Sequence, residues 1–261
     1  MKLCANISTL FTEYTLLDRF SAALDCGFSG VEIQFPYSAS ISDLVNAQTR
    51  SGSKTSLINI AAGDLLTGGE GLACVPKQRD AFKRAVEQCL TYAQELSVEQ
   101  VNVLSGRCLD SSQSERYYDT FLNNLEYASD QLQSINVGTV FEAINTIDMP
   151  HFLIHNVDQM QQVMSDLNHS NLSMQYDIYH MAKMNEPIIE QLPNIVHQIG
   201  HIQFADTPDR HEPNSGKLTF TEIFQTIKAS NYQGWLGAEY HPTKKTEKTL
   251  DWMDLALCET Q

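Results

Sequence analysis

A (β/α)₈ (TIM) barrel is the fold that this sequence predicts, on three observations. Short apolar runs recur along the chain with longer amphipathic stretches between them, the pattern of β-α units around a parallel sheet. Eight such runs are present. The chain has 261 residues with 42% hydrophobic content, a length that one barrel fills and a composition that can bury a large core. No Ser/Gly linker, charge block or shift of composition divides it, so residues 1–261 are expected to form a single domain.

The strands are expected at Leu3 to Ile7, Gly30 to Phe35, Ser56 to Ala61, Gln100 to Leu104, Gly138 to Glu142, Leu172 to Asp177, Ile199 to Ala205 and Trp235 to Glu239. Between them, Leu16 to Cys26, Lys77 to Leu96, Ser114 to Gln133 and Asn156 to Leu167 return apolar residues every three or four positions, the helical period. Phe82, Val86, Cys89, Leu90 and Ala93 thereby share one face. Pro76 precedes that helix, and Gly27 with Gly30 separates the first helix from the second strand. The stretch Ala62 to Val75 is longer than a β-α connection needs and carries Gly63, Gly68, Gly69 and Gly71. It is either a surface loop or a lid over a site. It matches neither phosphate-binding glycine motif.

Lys and Arg number 17 against 32 Asp and Glu, a formal charge of −15 that repels phosphate backbones and anionic lipid surfaces. Nucleic acid and membrane are therefore not expected as partners, whereas homo-oligomers are left open. The six cysteines, Cys4, Cys26, Cys74, Cys89, Cys108 and Cys258, contain no Cys-x-x-Cys pair and fit free thiols in a reducing cytoplasm. Polar residues from Asn6 onward interrupt the N-terminus before a secretory segment forms, so the Asn-x-Ser triplets at Asn6, Asn168 and Asn171 are read as chance.

In a β/α barrel the loops after the strands build the active site, so polar residues at the C-terminal ends of strands carry most information. Glu142, Asp177, Gln203 and Glu239 sit there on the fifth to eighth strands, at spacings of 35, 26 and 36 residues, each about one repeat. Three carboxylates buried together would oppose one another's ionisation, and a cation removes the conflict. Carboxylate and amide oxygens are hard ligands suited to Mg²⁺ or Mn²⁺. The alternative for each acid is capping of the next helix. His180, three residues beyond Asp177, is read either as a loop residue able to hydrogen-bond a substrate oxygen or as an ordinary surface histidine. Arg210 lies in a turn-rich segment after the seventh strand. It either clamps a substrate carboxylate or pairs with Asp209 or Glu212.

Over nearly its whole length the chain resembles the hydroxypyruvate isomerase family, a branch of the xylose-isomerase-like barrels that includes 2-oxo-tetronate isomerases and ketose 3-epimerases. The resemblance is carried by Gly30-Val-Glu-Ile-Gln-Phe-Pro36, Asn59, Glu142-Ala-Ile-Asn-Thr-Ile-Asp-Met-Pro150, Gln175-Tyr-Asp-Ile-Tyr-His-Met181, His201-Ile-Gln-Phe-Ala-Asp206, Arg210-His-Glu-Pro213 and Gly237-Ala-Glu-Tyr240. It implies that Glu142, Asp177, Gln203 and Glu239 hold the metal, that Glu142 and Glu239 also act as the acid/base pair, and that His180 and Arg210 touch substrate. Wider relatives often place His where Gln203 stands, so this Gln favours the hydroxypyruvate isomerase branch. The activity implied is isomerisation of a small hydroxy-oxo acid, hydroxypyruvate to tartronate semialdehyde or 2-oxo-tetronate to 3-oxo-tetronate, with 3-epimerisation of a free ketose as the alternative.

Overall fold

A computed structural model describes residues 1–257; Cys258, one of the six cysteines, lies outside the described residues. The chain folds as alternating strands and helices in the order β1 (Lys2–Asn6), α1 (Leu16–Asp25), β2 (Gly30–Ile33), α2 (Ile41–Ser51), β3 (Lys54–Asn59), α3 (Arg79–Glu95), β4 (Gln100–Val103) and α4 (Ser114–Gln133). It continues with β5 (Gly138–Glu142), α5 (Val157–Leu167), β6 (Leu172–Asp177), α6 (Ile178–Lys183), α7 (Ile188–Ile195), β7 (Ile199–Phe204), α8 (Phe220–Ala229), β8 (Trp235–Ala238) and α9 (Met253–Leu257). All neighbouring strands pair in parallel, and β8 closes on β1 through Lys2–Trp235 to Ala5–Ala238. The expected barrel is therefore closed.

Local chemistry sets the helix boundaries. Ser40 caps α2 by accepting the Asp43 N–H at 3.1 Å, and Gly52 ends it at a φ of 74°, a conformation glycine adopts without strain. Asn156 caps α5 through the Gln159 N–H, at 2.9 Å. The apolar faces pack outside the barrel: Phe204 on β7 stacks edge-on against Phe220 and Phe224 of α8 and against Trp252, with centroids 6.0, 5.5 and 5.0 Å away.

Two ladders carry a register shift, between Val31 and Glu32 where β2 meets β3 and between Met174 and Gln175 where β6 meets β7. In the second, Gly200 is the unpaired residue, and the shift sets His201 level with Gln175 and Gln203 level with Asp177. The stretch 62–75 is folded rather than loose. Its Leu65 and Cys74 are fully buried, and Asp64 accepts the Gly71 N–H at 3.0 Å. The free thiols Cys4, Cys74, Cys89 and Cys108 are buried and Cys26 half-buried. Among the described residues no helix is long and apolar enough to cross a membrane.

Candidate active site

The ends of six strands, β2, β3 and β5 to β8, deliver polar side chains to the C-terminal mouth. A cavity of about 80 Å³ there is walled by Gln34, Asn59, Glu142, Gln175, His180, Gln203, Arg210 and Glu239, with Phe35, Leu66, Leu104, Ile144 and Met149 as its apolar part. Two wider surface clefts, around His151 and His155 and around Glu70 and Lys77, are open and hold no comparable group of buried charges.

Glu142 is the last residue of β5, and its Oε1 accepts the Asn102 side-chain N–H at 2.7 Å. Asp177 ends β6 and caps α6, accepting the N–H groups of Tyr179 and His180 at 2.7 and 3.3 Å. The capping reading and the site reading thus hold together for Asp177, because one oxygen caps while the other faces Arg210 at 3.4 Å and His180 at 3.5 Å. Gln203 lies on β7 and Glu239 directly follows β8, its N–H extending the ladder to the Phe204 carbonyl at 3.1 Å. Glu239 Oε1 accepts from Gln34 Nε2 at 2.5 Å and meets Arg210 Nη2 at 3.2 Å.

His180 departs from expectation in its setting. It stands in helix α6, not on a loop, and is 4% exposed. Asp177 starts a helix at the residue after the strand, which leaves no loop between them. The Asn145 side-chain amide lies 2.7 Å from His180 Nδ1 and fixes the ring. Arg210 pairs with Asp177 and Glu239 rather than with Asp209 or Glu212, and its guanidinium lies 5.0 Å over the Tyr179 ring. Its loop is built on Asp206, whose carboxylate accepts the N–H groups of Thr207, Gly216, Lys217 and Leu218 at 2.8 to 3.0 Å.

The electrostatics follow from burial. Glu142 is pushed up to about 7 by desolvation and by the charge of Asp177, with hydrogen bonds from Asn102 and Gln175 and the charge of Arg210 pulling the other way. Glu239 is pushed up to about 8, again by burial first, against the pull of Arg210 and with the push of Asp177, Glu32 and Glu142. Burial lowers His180 to about 4, so its ring is neutral near pH 7. For Arg210 burial opposes the charge, but Glu239, Asp177 and Glu142 outweigh it and raise its pKa.

Three buried carboxylates thus gather around one guanidinium, which pairs with Asp177 and Glu239, and burial opposes the ionisation of the two glutamates. Ligand atoms of Glu142, Asp177 and His180 lie within 4.8 Å of one another, close enough to hold one ion. A hard oxygen-rich set with uncompensated negative charge fits a divalent cation. His180 thereby enters the grouping beside the residues expected there, while Glu239 is linked to it through Arg210.

Residues 20–256 match the model of the xylose isomerase-like TIM barrel family. The chain belongs to that family. Within the xylose isomerase-like TIM barrels it is similar to the hydroxypyruvate isomerase of Escherichia coli (strain K12), 37% identical over 254 residues covering 97% of this chain and 98% of that one. It is also similar to the 2-oxo-tetronate isomerase of Cupriavidus necator, 32% identical with 97% of each chain covered. Among solved structures, one described as a family 2 AP endonuclease from Brucella melitensis superposes with a TM-score of 0.92 at 31% identity, over 97% of this chain and 98% of that one. The D-psicose 3-epimerase of Clostridium cellulolyticum H10 superposes at 0.79 with 15% identity, over 98% of this chain and 94% of that one, and shows the shared fold alone.

The sequence reading assigned no role to Gln34, Asn102, Asn145 or Glu32, all of which touch the residues above. Their signal was faint, since a single polar residue inside or beside a strand also suits a solvent-facing position. Asn102 within Gln100–Val103 was the most legible, being fully buried with one strand neighbour on each side apolar.

Proposed function

We propose that this chain is an isomerase of a small hydroxy-oxo acid, hydroxypyruvate or 2-oxo-tetronate, working through proton transfer between adjacent carbons. The single observation that carries the reading is geometric: Glu142 and Glu239, from the ends of β5 and β8, are both buried at one cavity together with His180 and Arg210. Similarity to the two named isomerases over nearly the full chain supports the substrate class.

Glu142, Asp177, Gln203 and Glu239, with His180 beside them, would hold Mg²⁺ or Mn²⁺, which when bound supplies electrophilic polarisation of a substrate carbonyl. One glutamate removes the proton from the hydroxyl-bearing carbon next to the carbonyl. The electron pair left behind forms the carbon–carbon double bond of an enediolate, and its negative charge settles on the former carbonyl oxygen. A glutamate returns a proton to the former carbonyl carbon, while a proton moves between the two oxygens beside His180, so carbonyl and hydroxyl exchange places. Backbone and side-chain N–H groups of Asn145 face His180 Nδ1, so in the ring, neutral near pH 7, Nε2 carries the hydrogen and can donate to a substrate oxygen during that transfer. Arg210 presents a planar fork suited to the substrate carboxylate, and the 62–75 stretch, through Leu66, shields the enediolate from water.

Two other chemistries use this barrel. An abasic-site nuclease would need a multi-zinc centre rich in His and a basic surface, whereas this cavity wall carries one histidine and the chain a formal charge of −15. A ketose 3-epimerase inverts a carbon without moving the carbonyl. A side-by-side assay of hydroxypyruvate, 2-oxo-tetronate, fructose and tagatose, with products followed by NMR, separates these readings. Turnover of an acid with carbonyl migration is expected; turnover of the free ketoses alone, with inversion only, would overturn the acid assignment.

A further inference from the structure

Inside the barrel, below the cavity, Glu32 is fully buried and receives only donors. Its Oε1 accepts from Asn6 Nδ2 at 3.0 Å and from Gln203 Nε2 at 2.6 Å, and its Oε2 lies 2.6 Å from His201 Nε2 and 3.5 Å from the Cys4 thiol. Cys4, Glu32 and His201 bring ligand atoms within 4.8 Å of one another. The cluster is nonetheless a poor ion site, because both carboxylate oxygens are already engaged by hydrogen bonds.

The consequence lies one residue outward. Glu32 Oε1 accepts from Gln203 Nε2, so Gln203 turns its NH₂ to Glu32 and its carbonyl oxygen the other way. That oxygen accepts from Gln175 Nε2 at 2.7 Å. Gln175 must then turn its own oxygen away from Gln203, and Gln175 Oε1 is buried without a hydrogen-bond partner among the described residues. Both glutamines wall the cavity. An amide that nothing oriented would present nitrogen as readily as oxygen, and a cation binds only the oxygen.

The backbone is arranged for the same contact. The two register shifts of the barrel fall immediately before Glu32 and Gln175, the two ends of the relay. Gly237 leaves the space the carboxylate fills, since a Cβ there would lie 2.5 Å from Glu32 Oε2.

We propose that Glu32 is a positioning residue for the cation site: by taking the Gln203 NH₂ it leaves Gln203 Oε1, rather than nitrogen, as the atom offered to the cation, with the Gln175 NH₂ turned to Gln203 and Glu142. This rests on the reading of Gln203, given above, as a ligand of the ion that the substrate would share. Glu32 itself touches neither.

Calorimetric titration of Mn²⁺ into the cation-free full-length protein tests it without recourse to activity, with folding checked by circular dichroism. Glu32→Gln, whose amide can present either atom, is expected to weaken Mn²⁺ binding about 10- to 100-fold, the range typical of residues that orient a ligand. Gln203→Ala is expected to weaken it at least as much. The exchange E32Q/Q203E keeps the charge and the hydrogen bond and offers an oxygen whichever way residue 203 turns, and it is expected to return affinity to within about threefold of wild type. Wild-type affinity in Glu32→Gln beside weakened Gln203→Ala would overturn the positioning role and leave the ligand reading standing. Wild-type affinity in Gln203→Ala would overturn both. If Glu32→Gln does not fold, the exchange variant decides alone: folded but no better than Gln203→Ala, it overturns the proposal.

Discussion

At the scale of single residues, the chemistry depends on where burial leaves each proton. Glu142→Gln and Glu239→Gln keep shape and lose the base, so each is expected to lower turnover about a thousandfold with the fold intact; rates near wild type in steady-state assays would remove the two-base scheme. Arg210→Lys keeps the charge but loses the planar fork, and is expected to raise KM for the acid about 10- to 100-fold while changing kcat less. The shifted groups also leave a mark on stability. With Glu142 and Glu239 raised from 4.5 to about 7 and about 8, the folded cation-free protein holds those protons more tightly than the unfolded chain. Their contribution is full below the unfolded value and is lost as pH rises through 7 and 8. His180 runs the other way: lowered to about 4, it contributes above its ordinary 6.5 and loses that contribution as pH falls toward 4. In EDTA, the fall in melting temperature between about pH 5.5 and pH 8.5 should be smaller in Glu239→Gln than in wild type, as read by scanning calorimetry. Equal falls would contradict the assigned burial cost.

The four strand-end residues were legible because each interrupts or closes an apolar run at a repeat spacing. Glu32 and Gln175 were not, because a polar residue facing the barrel interior and one facing solvent leave the same alternation in a sequence. Their roles depend on side-chain pairing between strands, β2 with the distant β7 and β6 with β7, which alternation along one strand does not reveal.

At the scale of elements, the eight strands were readable from period and composition, with ends displaced by up to two residues. Ser114–Gln133, Gly138–Glu142 and Leu172–Asp177 coincide with the expected bounds. The short α6 and α7 were not legible, since six and eight residues give too few turns for a helical period to emerge. The register shift at Gly200 was equally hidden, and it is what levels His201 and Gln203 with β6. Gly237→Ala places a methyl group against the Glu32 carboxylate on the neighbouring side of the barrel. Overpacking of this kind costs about 1–3 kcal/mol, so a lowered melting temperature is expected, and an unchanged one would show that Glu32 has room to move.

At the scale of the whole molecule, a formal charge of −15 surrounds a site proposed to take an anion. The long-range field opposes such a substrate, while half-buried Arg210 attracts it only at short range. Salt screens the first far more than the second, because the Debye length is about 10 Å at 0.1 M. Raising ionic strength from about 0.01 to 0.1 M is therefore expected to increase kcat/KM for the acid; a steep fall in initial-rate measurements would place the dominant attraction on the surface instead. The barrel makes both features compatible by holding Arg210 with Asp177 and Glu239 at its C-terminal mouth, apart from the acidic exterior.

The account stands on one cation shared by the side chains of the last four strands. Titrating Mn²⁺ into EDTA-treated protein, with bound ion followed by electron paramagnetic resonance and hydroxypyruvate and 2-oxo-tetronate turnover followed in the same samples, tests this most directly. Turnover should be absent at the start and return in proportion to binding, reaching its maximum at one ion per chain. Full turnover by the stripped protein, or recovery that needs a second ion, would contradict it.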